Sequence, residues 1–124
     1  MLTQAPVMTM IPVVDIDRAR KFYDQLGLTY KTTLANGNVL YACNGATLAL
    51  FQRSAPTRAE HTALSFEVTD IRSEIAALRQ RGVVFEEYDL PDFKTVDSVC
   101  VLGAERAAWF KDSEGNILCI HQDR

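Results

Sequence analysis

The chain has 124 residues, 48% of them hydrophobic and 23% charged, the composition of an ordinary folded domain rather than a disordered or fibrous chain. A chain of this size buries about two-thirds of its unfolded surface, so one normal core fits and two large domains do not. Thirteen Lys and Arg against sixteen Asp and Glu give a net charge of −3, without the basic excess a nucleic-acid binder uses to neutralise phosphates.

The first fourteen residues lack a basic start and are broken by Pro6 and Pro12, so they read as a poor secretion signal. No apolar run approaches the roughly 20 residues of a membrane span. Residues 7–14 read as a strand. Asp15 then opens a helical pattern, with Ala19, Phe22, Tyr23 and Leu26 on one face and Gly27 just past its end. Residues 39–43 and 46–52 read as two more strands, separated by the Gly45 turn. The polar stretch 53–60 reads as a linker. Residues 62–68 form the next strand, and Asp70 opens a second helix with Ile71, Ile75 and Leu78 buried and Gly82 at its end. Residues 107–111 and 117–122 are the last strands, joined by the turn-forming run Asp112-Ser113-Glu114-Gly115-Asn116.

The order repeats. Val14-Asp15-Ile16 recurs as Thr69-Asp70-Ile71 at an offset of 55, and the Gly45 strand recurs as the Gly115 strand at an offset of 70. The second unit therefore carries about fifteen extra residues, expected around 89–103. Each unit is read as strand, helix and three strands. The expectation is one α+β domain, 1–124, of two βαβββ repeats (about 7–52 and 61–122, linker 53–60) forming a curved mixed sheet around a cleft. Strand alternation aims Met8, Met10, Thr47, Ala49, Phe51, Ala63, Ser65, Ile117 and Cys119 at that cleft. The three cysteines, Cys43, Cys100 and Cys119, are an odd number without CxxC spacing, as in a reduced cytoplasmic protein.

Val14-Asp15-Ile16 with Phe22-Tyr23 and Leu26-Gly27-Leu28, followed at the far end by Trp109-Phe110-Lys111-Asp112-Ser113-Glu114-Gly115-Asn116, resembles the vicinal oxygen chelate superfamily. That group includes glyoxalases, bleomycin-resistance proteins and extradiol dioxygenases. The likeness runs from about Met8 to Gln122, with Ser113 where members usually carry Pro. Metal-using members place His on the first strand of a unit and Glu or His on the last. Carried over by spacing, those positions are Met8, Ala49, Ala63 and Cys119, none of them His, Glu or Asp. The resemblance thus implies a protein with no metal and no other cofactor. A displaced site from His61, Cys119 and His121 is the metal-binding alternative.

Apolar walls with a few orienting polar groups are the usual make-up of a small-molecule pocket. The expected ligand-binding residues are Met8, Met10, Phe51, His61, Ser65, Phe93, Trp109, Cys119 and His121, with Phe93 carried on the inserted segment. The competing reading makes the apolar ones ordinary core and the histidines surface residues. Cys119 with His121 is weighed as a nucleophile pair against an inert buried thiol. Glu86 and Glu87 read as solvated edge charges. The function expected is metal-free holding of an apolar or aromatic small molecule by a homodimer, with no nucleic-acid or membrane partner. The alternative is a lyase, isomerase or dioxygenase of the same superfamily, with or without a metal; a metal-independent one would use His61 or His121 as its base.

Overall fold

In a computed structural model, which describes residues 1–123, both repeats are present. A short 3-10 turn, Leu2–Gln4, precedes β1 (Met8–Val13), α1 (Ile16–Gln25), β2 (Thr29–Thr33), β3 (Val39–Cys43) and β4 (Ala46–Gln52). The second unit runs β5 (Thr62–Glu67), α2 (Ile71–Gln80), β6 (Asp89–Leu90), β7 (Phe93–Val96), β8 (Val99–Leu102), β9 (Glu105–Lys111) and β10 (Ile117–Gln122). Asp15 caps α1 by accepting from Arg18 N–H, and Asp70 caps α2 by accepting from Ser73 N–H. Ala19 and Tyr23 of α1 and Ile71, Ile75 and Leu78 of α2 are buried, as the helical spacing requires.

The strands form two open mixed sheets, β1-β4-β3-β2 and β5-β10-β9-β8-β7-β6, with no ladder between them among the described residues. Within each, the first strand runs parallel to the last, and the remaining pairs are antiparallel. Pro12 sits in β1 without loss because β1 is an edge strand and no ladder needs its missing N–H. The second unit departs from strand, helix and three strands. Its extra residues form the hairpin β6–β7, which extends the sheet past β8.

The helix-side faces of both units share one core. Ile11, Val13, Tyr41 and Leu50 from the first unit and Ile75, Phe110, Leu118 and Ile120 from the second belong to a single cluster. The turn between β9 and β10 closes this joint. Asp112 accepts from Tyr23 Oη at 2.6 Å, Asn116 Nδ2 donates to the Pro12 carbonyl at 2.9 Å, and Glu114 accepts from Val14 N–H at 2.9 Å. The units thus meet through their helix sides, which leaves the opposite face of each sheet open. All three cysteines are free. No helix among the described residues is long and apolar enough to cross a membrane.

Candidate functional site

Residues paired across a ladder share a face, and the register sets out the open face of the larger sheet in rows. Ser65, Cys119 and Trp109 form one row; Glu67, His121, Ala107 and Cys100 form the next. Leu118, Ile120 and Phe110 alternate to the other side, into the core. Cys119 is buried, and that burial pushes its thiol above the ordinary value, so at neutral pH it is an inert thiol rather than a nucleophilic thiolate. His121 is not hydrogen-bonded to Cys119. Its Nδ1 lies 2.6 Å from Ser65 Oγ.

The extra hairpin brings an aromatic cluster to this face. Pro91 and Asp92 make its turn, and Leu90 pairs with Phe93 across it. The ring of Phe93 lies 5.0 Å from that of Trp109 and 5.2 Å from that of Tyr88, while Tyr88 and Trp109 are 5.9 Å apart. These spacings and inclined planes are those of favourable aromatic pairs. Trp109 Nε1 donates to Thr62 Oγ1 at 3.1 Å, which fixes the indole. The three rings form one wall of a groove of about 320 Å³ that His61, Leu90 and Ile117 also line.

Glu87 stays exposed, as its sequence context suggests, and also anchors the hairpin. Its carboxylate accepts from Thr95 Oγ1 at 2.6 Å, from Ser98 Oγ at 2.7 Å and from Ser98 N–H at 3.0 Å. Those bonds, Thr95 first and Ser98 next, hold its carboxyl below the usual carboxylate range.

On the smaller sheet, Met8 and Met10 share the open face with Thr47 and Ala49 and are 45% and 48% exposed. Phe51 lines a separate groove of about 290 Å³ beside Pro12 and Pro56. The nine expected ligand-binding residues therefore fall on two faces. His61, Phe93 and Trp109 share the aromatic groove, with Ser65, Cys119 and His121 beside Trp109 or in the next row. Met8, Met10 and Phe51 lie on the other sheet.

The Glyoxalase/Bleomycin resistance protein/Dioxygenase superfamily profile matches residues 5–120. The chain belongs to that superfamily. Solved structures of this fold agree. A glyoxalase family protein from Enterococcus faecalis is 19% identical over 98% of this chain and 99% of its own, at a TM-score of 0.72. TnmS3, an antibiotic binding protein from Streptomyces sp. CB03234, is 20% identical over 98% of each chain, at 0.67. Lactoylglutathione lyase from Agrobacterium tumefaciens is 19% identical over 96% of this chain and 93% of its own, at 0.69. No curated protein matches.

Glyoxalases and dioxygenases of the superfamily use a metal, and the donors here do not fit one at the corresponding positions. Ala49 and Ala63 carry no donor atom, Met8 offers a thioether, and the Cys119 thiol is held protonated by burial. A hard or borderline divalent ion takes oxygen, imidazole or thiolate donors, and this set has none ready. Nor do His61, Cys119 and His121 come together as a displaced site. Among the described residues the three-donor group is Glu67, His121 and Asp123.

Three residues of this face escaped the sequence reading: Tyr88, Glu67 and Asp123. Tyr88 had a local signal, since it stands just before a Pro-Asp turn with Phe93 just after. Glu67 had one too, because it continues the alternation of Ala63 and Ser65 along β5. Asp123 is placed by the end of β10, and nothing local marked it.

Proposed function

We propose that the protein holds a planar apolar or aromatic small molecule against the Tyr88–Phe93–Trp109 wall, with no metal at the superfamily's usual ligand positions. The observation that carries this reading is the inserted hairpin. It sets the Phe93 ring against Tyr88, which immediately precedes it, and against Trp109 of β9, so that three rings line one groove. Flat rings offer large contact area at low conformational cost. His61, Ser65 and His121 are the orienting polar groups, and Cys119 is an apolar floor beside Trp109. The edge strands β1 and β5 are both open, and the working unit is a cytoplasmic homodimer in which a second copy covers these edges and the exposed Met8 and Met10. Sequestering is a role that an antibiotic binding protein of the same fold exemplifies; its likeness to this chain, like that of the lyase, is one of fold.

Trp109 is the single tryptophan of the chain, so its fluorescence reports on the groove directly. Titration with a planar aromatic cation such as acridine orange, and with a neutral polycyclic aromatic, is expected to quench it saturably. Trp-independent calorimetry should show binding weakened at least about tenfold by Phe93→Ala, the loss of one stacked ring contact. If neither compound alters the fluorescence, or if Phe93→Ala binds as tightly as the parent, this reading fails.

A further inference from the structure

We propose that Glu67, His121 and Asp123 bind a borderline divalent transition-metal ion at the end of the β5–β10 ladder. Glu67 and His121 are direct register partners across the two parallel strands, and Asp123 follows His121 by two residues. The imidazole Nε2 stands 4.0 Å from Glu67 Oε1 and 3.6 Å from Asp123 Oδ1, and the three donor atoms all lie within 4.8 Å of one another. An ion with bonds of about 2.0–2.2 Å draws its ligand atoms to roughly 3–3.5 Å apart, so closing around it requires only small side-chain rotations. The carboxylates are free to make them: the Glu67 and Asp123 side chains are 72% and 54% exposed.

A second feature orients the donor. The His121 ring is only 21% exposed, and its Nδ1 is engaged by Ser65 Oγ at 2.6 Å. With Nδ1–H donating to that hydroxyl, the Nε2 lone pair faces the two carboxylates. A hydrogen bond at the distal nitrogen is the usual outer partner of a metal-ligating histidine, because it fixes tautomer and ring angle together. Among the described residues no Lys or Arg forms an ion pair with either carboxylate, so a cation between them has no built-in competitor. One nitrogen and two oxygens suit zinc, cobalt or manganese rather than a soft monovalent ion. Three protein donors leave coordination positions for water or for an oxygen of a molecule lying on the same face.

The site is two residues beyond Cys119 on β10 and shares no residue with the four superfamily positions. It departs from the expectation of a metal-free protein and does not depend on the aromatic groove holding a ligand.

The test uses the untagged full chain, stripped with a chelator and titrated with zinc alone at pH 7.5 by calorimetry, with circular dichroism confirming that each variant is folded. One equivalent per chain is expected, abolished by His121→Ala. Glu67→Gln and Asp123→Asn should each weaken binding at least about tenfold, and Ser65→Ala by about 10–100-fold through loss of the outer hydrogen bond. His61→Ala and Cys119→Ser should leave it unchanged. Nitrogen-15 spectra of the His121 ring provide an independent readout: zinc should move Nε2 while Nδ1 keeps its proton. Absence of stoichiometric zinc, binding that survives His121→Ala, binding lost in Cys119→Ser or His61→Ala, or zinc on Nδ1 would each overturn the proposal.

Discussion

Glu114 shows how much one side chain does in this fold. Its carboxylate accepts from Arg18 Nε at 2.8 Å, from Arg18 Nη2 at 3.0 Å, from Ser113 Oγ at 2.7 Å and from the backbone N–H groups of Val14 and Asp15. These bonds, the one from Arg18 above all, lower its pKa from 4.5 to about 2. Because the folded value is depressed, the stabilisation is complete above the unfolded pKa and is lost as the pH falls from 4.5 toward 2. Glu114→Gln is expected to cost about 2 kcal/mol at pH 7, the usual worth of hydrogen bonds to a charged group. In urea unfolding, that difference should shrink as the pH is lowered through the same window, since the parent protein then loses its own charge. An undiminished difference at pH 2.5 would show that the charge is not what holds the joint.

The turn between β9 and β10 makes the same case for an element. In sequence it is a string of turn formers, but in the structure it is the clasp between units. Asp112 accepts from Tyr23 Oη, Asn116 Nδ2 and the N–H groups of Glu114 and Asn116, all within 2.8 Å. Asp112 and the Tyr23 ring are both buried, so removing the acceptor strands four donors out of reach of bulk water. Asp112→Ala is expected to cost about 3–5 kcal/mol, whereas Asp15→Ala, which removes one exposed helix cap, should cost about 1 kcal/mol. Urea midpoints of the two variants check this ratio, and equal losses would contradict the clasp. The caps and the buried helix faces were legible because they depend on spacing within one turn. The β6–β7 hairpin was expected only as inserted residues, because its strands are short and acquire their meaning by pairing along β8.

For the whole molecule, the arrangement of the two units decides what the open faces can do. The units share a core through their helix sides, and among the described residues β1 and β5 each leave one outer edge without a ladder partner. β1 carries Met8 and Met10 half-exposed on that edge. Sedimentation at micromolar concentration is expected to show a dimer of the 13.9 kDa chain. Met10→Asp should shift it toward monomer by placing a charge on the apolar edge. A 13.9 kDa species alone in the parent protein would refute the dimer and leave the smaller sheet's face open to other partners.

By itself, the sequence determined the two repeats, the helix caps, the position of the inserted segment and most strand faces, but not that of Ala63, which the β5 bulge turns against the core while Thr62 pairs with Ile117. All of these follow from periods of 3.6 and 2 and from turn chemistry, which act over a few residues. The tertiary structure alone decided that the units join through their helix sides, that Tyr88 and Phe93 meet Trp109, and that Ser65 and Glu67 rather than Cys119 or His61 flank His121. Those outcomes turn on ladder register and on contacts such as Arg18 with Glu114, 96 residues apart. Local propensity carries no information about pairings at that separation; only the packing of the assembled core selects them.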